Sequence, residues 1–291
     1  MKPATIAVLL SLVICSFPQT FAGETSDTTR AGIVQKIVLK DGNVIVGVVE
    51  SEFRDSLVVV LASGGRIVLP RSSMESMNVL KGQIVGGRYM RIDPNESRLF
   101  FGPTARPVRA GSGYFSVYEL FFPYLAVGIG DIVTLAGGIT IFPLASSQVF
   151  YLGPKISIPL NSETVSLAIG GHYFNAFDSG TDGAGIVYAV STIGGQMASV
   201  TIGGGYGYVE GEFSDNPLLM VGGEAQLSNS AKLISENWFP LSGEGSLLSF
   251  GVRFFGENLS ADFGFYYPVT SESSEGFPFI PWLGFSYAFG K

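Results

Sequence analysis

The 291-residue chain has one cysteine, one histidine, only 14% charged residues and, past its first residues, no apolar run approaching a membrane helix. Each scarcity excludes a class of protein. A helical span needs about 20 consecutive apolar residues, so a helical membrane protein is ruled out. With 17 Lys and Arg against 24 Asp and Glu, the net charge of -7 leaves no basic surface for nucleic acid. A single thiol, Cys15, cannot build a disulfide framework or a cysteine metal site. No Gly-x-Ser-x-Gly elbow occurs, and no carboxylates cluster around His172 at a spacing suited to zinc, so neither a catalytic site, a metal nor a cofactor is expected. Disorder is excluded as well, because 46% of residues are hydrophobic and the mean hydropathy is +0.37. What the chain has in excess is glycine, at 39 residues, together with 23 Phe and 12 Tyr, a mixture suited to closed β-sheets with aromatic belts.

Met1 and Lys2 precede an apolar run from Ala4 to Phe17, and Thr20-Phe21-Ala22 supplies the small residues of a cleavage site. Residues 1–22 therefore read as a secretory signal peptide and 23–32 as a flexible lead-in. Cys15 follows bulky Val13 and Ile14, which argues against lipidation, and cleavage would remove the only thiol. Residues 33–80 then show short strands punctuated by turns: Val34 to Leu39, the turn Lys40-Asp41-Gly42-Asn43, Val44 to Glu50, Leu57 to Ala62, Gly64-Gly65 and Arg66 to Leu69. This order, with Gly47 inside the second strand, resembles the Sm-like or SH3-like small barrel. The resemblance implies a compact β module. Its basic residues (Lys36, Lys40, Arg54, Arg66, Arg71) alternate with Asp41, Glu50, Glu52 and Asp55, a solvated surface rather than an RNA-binding one. A periplasmic docking or plugging module is expected, followed by a linker over 81–96 with Gly82, Gly86, Gly87 and Pro94.

From 97 to 291 the chain repeats segments of about ten alternating residues and a turn, the length of a tilted transmembrane strand. Leu259, Ala261, Phe263 and Phe265 alternate with Ser260, Asp262 and Gly264, and Leu248, Phe250, Val252 and Phe254 with Ser249, Gly251 and Arg253. Period two puts each class on one face of a strand. Eleven such strands are legible, near 124–130, 132–142, 147–158, 163–177, 183–194, 197–209, 217–227, 231–240, 245–256, 259–268 and 279–289. Tight turns such as Gly130-Asp131 and Glu257-Asn258 alternate with longer, often acidic loops such as Glu210 to Asn216. Aromatic residues crowd the longer-loop ends, and Phe142, Tyr151, Tyr173, Tyr206, Tyr208, Trp238, Tyr267, Phe279 and Trp282 are expected to form an interfacial girdle. Single-chain bacterial barrels have even strand counts, so a twelfth strand is required, from Arg98 to Thr104 or from Tyr114 to Phe121. The block Arg98-Leu99-Phe100-Phe101-Gly102-Pro103-Thr104-Ala105-Arg106-Pro107, with Gly113-Tyr114-Phe115-Ser116 and Phe121-Phe122-Pro123, resembles the opening of uncharacterised bacterial outer-membrane β-barrel proteins. That resemblance implies fold and location only.

The expected fold is thus all-β: an antiparallel transmembrane barrel of about twelve strands behind a small β module, in the outer membrane, with both termini periplasmic. On the alternation phase Lys155, His172, Glu224, Glu236, Arg253 and Asp262 point into the lumen, where a salt-bridge network is expected, with a cation-selective charge ring as the alternative. A two-residue turn at Glu257-Asn258 would set Arg253 directly opposite Asp262, with Glu224 and Glu236 extending the pair and Lys232 near one end. His172 is expected to be a hydrogen-bonded lumen residue. The acidic loop Asp178 to Gly183 lacks the closing Glu of a calcium loop. The expected function is a passive channel or a structural, anchoring barrel whose partners are the bilayer and small solutes, its small inward residues leaving room for water or for a plug formed by residues 24–95. A lipid-active enzyme using His172 and a soluble secreted β-protein with a ligand cavity are the alternatives.

Overall fold

The computed structural model describes residues 33–160, 164–177, 180, 182–243, 245–269 and 278–290. The signal peptide and flexible lead-in lie outside the described residues, as do parts of the acidic loop and of the last long loop.

Two small sheets come first. Strands β1 (Val34–Leu39), β2 (Val44–Glu52), β3 (Ser56–Leu61), β4 (Arg66–Pro70) and β5 (Met74–Val79) form an antiparallel sheet in the order β4-β3-β2-β1-β5. The first turn forms where Gly42 takes a φ of 85° and the Asp41 carboxylate accepts the Asn43 amide at 2.9 Å. Alternation along the strands buries Ile37, Leu57, Val59 and Leu69 in one core. A two-stranded hairpin, β6 (Gly82–Val85) with β7 (Arg88–Arg91), follows within the stretch read as a linker.

The remaining strands are β8 (Ser112–Tyr118), β9 (Phe122–Ile129), β10 (Val133–Ile139), β11 (Val149–Leu152), β12 (Lys155–Pro159), β13 (Val165–Ala176), β14 (Ala184–Gly194), β15 (Ala198–Val209), β16 (Glu212–Phe213), β17 (Leu218–Ser228), β18 (Ala231–Pro240), β19 (Ser246–Phe255), β20 (Leu259–Val269) and β21 (Ile280–Gly290). β11 and β12 are halves of one strand, interrupted at Gly153-Pro154, and both pair with β10 and β13. Proline there cannot donate to the ladder, which is why the strand breaks. β16 pairs only with the end of β15. Counted this way, twelve antiparallel strands run round the sheet, and β8 closes it by pairing with both β21 and β9. The twelfth strand therefore comes from the segment Tyr114 to Phe121. Arg98 to Thr104 is not in the wall.

Six Asp, Glu, Lys or Arg side chains lie on the twelve wall strands: Lys155, Glu224, Lys232, Glu236, Arg253 and Asp262. All are at most 5% exposed and point inward. The opposite phase carries Leu125, Leu135, Ile169, Ile202, Leu233, Phe263 and Phe285, all exposed on the outer face. A wall with a charge-free, apolar outside is the build of a transmembrane barrel.

Candidate functional site: the filled lumen

The lumen is occupied by the chain itself. Residues 93–109 form an irregular hairpin whose two legs are joined by the Thr104 amide donating to the Ser97 carbonyl (3.1 Å) and the Leu99 amide to that of Gly102 (2.9 Å). Pro94, Pro103 and Pro107 remove amide donors from this segment, so it cannot serve as a strand in a continuous ladder. It enters beside the short turns, where Arg91 Nη1 donates to the Phe255 carbonyl (3.3 Å) and Gln226 Nε2 to the Arg91 carbonyl (3.1 Å). It leaves at the same rim, where the Ala110 amide donates to Asp131 Oδ1 (2.7 Å).

On the side of β17 to β20 the hairpin is held by charge. The register sets Arg253 directly opposite Asp262, and their side chains pair with Nε to Oδ1 at 2.6 Å. The same register logic sets Lys232 opposite Arg253, two cations facing each other on neighbouring strands. Asp93 of the hairpin resolves that conflict, with one oxygen 3.0 Å from Lys232 Nζ and 2.9 Å from Arg253 Nη1. Arg98 bonds Asp262 at 2.8 Å, Lys232 bonds Glu224 at 2.9 Å, and Arg106 bonds Glu224 in turn. The result is one alternating chain, Arg98–Asp262–Arg253–Asp93–Lys232–Glu224–Arg106, in which hairpin and wall each supply charges. Burial would push the Asp93 carboxyl up, but Lys232 and Arg253 outweigh it and hold it well below the usual carboxylate range.

Glu236 stands apart from that chain. Its Oε2 accepts the backbone amides of Phe100 (2.9 Å), Phe101 (3.0 Å) and Gly102 (2.8 Å), and its Oε1 accepts from Trp238 Nε1 (2.9 Å) and Tyr266 Oη (3.1 Å). A carboxylate thus binds the turn of the hairpin as it would an anion-binding nest. Beside it Leu99 and Phe100, both fully buried, fill hollows left by wall glycines. A Cβ at Gly222 would strike Leu99, and one at Gly264 would lie 2.8 Å from the Phe100 ring.

The side formed by β8, β9 and β11 to β14 is aromatic. Phe101, at the hairpin tip, lies 5.4 Å from the His172 ring and 6.4 Å from Tyr118, while His172 stacks on Tyr188 at 5.6 Å. Tyr114, Tyr124 and Tyr151 continue as a stacked series. Lys155, 5% exposed, donates to three hairpin carbonyls, those of Ser97 (3.0 Å), Thr104 (2.9 Å) and Arg106 (2.7 Å), and has no carboxylate partner among the described residues. Phe101, Tyr118, Tyr124, Lys155, His172 and Tyr188 border a void of about 30 Å³, room for a water or two.

All six inward residues of the sequence reading line this lumen, but their partners differ from the expected ladder. Glu236 binds backbone amides rather than a cation, and His172 Nε2 has no hydrogen-bond partner among the described residues. The girdle is also smaller than expected. Phe142, Tyr206 and Tyr267 are exposed outside, and Tyr173, Tyr208 and Phe279 pack with outer-face rings. Tyr151, Trp238 and Trp282 point inward instead: Tyr151 Oη donates to the Pro123 carbonyl, Trp238 to Glu236, and Trp282 stacks on Tyr118 at 5.4 Å. Period two requires this for the tryptophans, because Trp238 shares the phase of Glu236 and Trp282 that of Ser286. The plug is likewise residues 93–109 rather than 24–95, and the module keeps its own core. Asp93, Arg98 and Arg106 have no expected place in the lumen: the two arginines fall in a candidate wall strand or its flank, and Asp93 in the expected linker. The three prolines, together with two arginines in a segment otherwise read as strand, are the signal that would have found them.

No family model matches the chain, and no curated protein matches it. Among solved structures it is similar to the KdgM porin (9% identity, TM-score 0.45, covering 62% of this chain and 98% of that one) and the NanC porin (8%, 0.40, 62% and 98%). It is also similar to a loop-deleted OmpT, an outer membrane protein of Vibrio cholerae (11%, 0.33, 88% and 96%). These are likenesses of shape, and nothing about substrate or activity follows from them.

Proposed function

We propose that the protein is an integral outer-membrane β-barrel whose lumen is a passive channel held shut by hairpin 93–109, with the 33–80 module and both termini on the periplasmic side. The observation that carries this reading is that the hairpin enters and leaves by one rim and is held by ion pairs and by charged wall side chains bonded to its backbone. Such a plug can withdraw without threading the chain through the wall. In a water-filled lumen the separated charges regain hydration, and exchanging buried pairs for hydrated ions is close to neutral. Leu99 and Phe100 are the main apolar anchors, each worth about 1.5–3 kcal/mol. Short turns face the periplasm in barrels of this build, which supports a periplasmic side for the rim by which the hairpin enters and for the module that precedes it.

A structural or anchoring role is the second reading, favoured by the void of only about 30 Å³ around Phe101 at the hairpin tip, while a larger space of about 200 Å³ borders Glu96, Arg106 and Gln196. Planar-bilayer recordings separate the two. The channel reading expects rare openings in the natural protein and frequent ones when Arg98→Ala and Glu236→Ala are combined; silence in both, with heat-shifted gel mobility still reporting a folded barrel, favours the anchor. The lipid-enzyme alternative meets a geometric obstacle, since His172 faces the lumen and a membrane acyl chain would lie outside. A soluble protein would leave the apolar outer face in water.

A further inference from the structure

The hairpin resembles an internal ligand in the aromatic half of the lumen. It puts a ring, Phe101, against His172 and Tyr118, and puts three carbonyl oxygens on Lys155, which borders the same void. Every hydrogen bond of the Lys155 ammonium ends on the hairpin. When the hairpin leaves, the six charges of the wall strands behave differently. Arg253 keeps Asp262, Lys232 keeps Glu224 and Glu236 keeps the Trp238 and Tyr266 donors, whereas Lys155 is left as an inward cation with no anion beside it. Nearby, Tyr188 and His172 present stacked ring faces, His172 Nε2 has no partner among the described residues, and the Phe101 position is vacated. A cation next to open ring faces selects a solute with both a negative group and a flat or ring-shaped body.

We propose that, with the hairpin displaced, Lys155, His172, Tyr118 and Tyr188 bind a ring-bearing organic carboxylate, its carboxylate on Lys155 and its ring where Phe101 now lies. This rests on the reading of the hairpin as a displaceable plug. The ligand and the hairpin compete for one place, so weakening the hairpin must tighten apparent binding by the factor by which the open population rises.

The chain has two tryptophans, Trp238 and Trp282, and both face the lumen, so their fluorescence reports binding there. The full-length protein in detergent, natural and Asp93→Asn, is titrated with benzoate (flat ring), glucuronate (sugar ring), acetate (no ring) and benzyl alcohol (no charge). The proposal expects a saturable change with benzoate or glucuronate, about tenfold tighter in Asp93→Asn, absent with acetate and benzyl alcohol. It also expects loss of the response on adding Lys155→Met, and weakening with Tyr188→Leu, in variants that retain heat-shifted gel mobility. The comparison of the two ring acids tells a flat ring from a sugar. An equal response to acetate overturns the ring site, and a response that survives Lys155→Met overturns the assignment of the cation. No response from an Asp93→Asn protein that conducts overturns this inference alone; no response together with no conductance overturns it and the plug reading.

Discussion

The two halves of the lumen hold the same hairpin by different physics. Along β17 to β20 the wall offers two ion pairs, Lys232 with Glu224 and Arg253 with Asp262, whose cations face each other and share Asp93 of the hairpin. Along β8, β9 and β11 to β14 it offers rings and one cation that the hairpin satisfies only through carbonyls. Ionic contacts are strong when all partners are present and costly when one is missing. Ring contacts are individually modest and tolerate exchange. The ionic side therefore decides whether the hairpin stays, and the aromatic side decides what can replace it.

The largest effect expected is from Asp93→Ala, which leaves Lys232 and Arg253 facing each other without the carboxylate they share. Losing one partner of a buried charge cluster costs about 3–5 kcal/mol, and faster amide hydrogen exchange across 97–106, with the barrel amides unchanged, would report it. Glu236→Leu removes the acceptor of three backbone amides and should weaken the hairpin by about 3 kcal/mol, read in the same exchange experiment. Acid should act on the same latch. The Asp93 carboxyl titrates below its ordinary value, so its contribution is complete above about pH 4 and is lost as the pH falls through the depressed value. Protease sensitivity of the hairpin, measured from pH 6 down to pH 2, should rise at the acid end in the natural protein and be less pH-dependent in Asp93→Asn. The smallest effect belongs to the aromatic side: Phe101→Ala should loosen the hairpin by about 1 kcal/mol. If Phe101→Ala instead speeds exchange more than Asp93→Ala does, the division of labour between the halves is wrong.

Much of the wall was legible because a strand has a strict period. Arg253 and Asp262 follow from one tight turn and an alternation of two, and the structure pairs them in that register. The same period, applied to every residue, would also have placed Trp238 and Trp282 inward; crowding of aromatic residues near loop ends suggested otherwise. Tyr151 lies next to the Gly153-Pro154 break, where the strand divides and periodicity is a weaker guide. The hairpin was not legible in this way. Asp93 meets Arg253 across 160 positions and Arg98 meets Asp262 across 164, and an irregular segment has no period from which a partner can be read. Three prolines spoke against a wall strand there, while Leu99-Phe100-Phe101 spoke for one.

Amino-acid order is enough to specify an apolar-outside wall, since alternation and turn spacing are local properties that survive without knowledge of distant contacts. It also determined that charge on the wall strands must face inward. Three outcomes emerge only in the folded chain: which segment fills the cylinder, that Glu236 grips backbone amides instead of a cation, and that wall glycines serve as hollows for Leu99 and Phe100. Those outcomes depend on which groups meet in space once the wall has closed, and desolvation makes a buried charge seek whichever partner lies within reach.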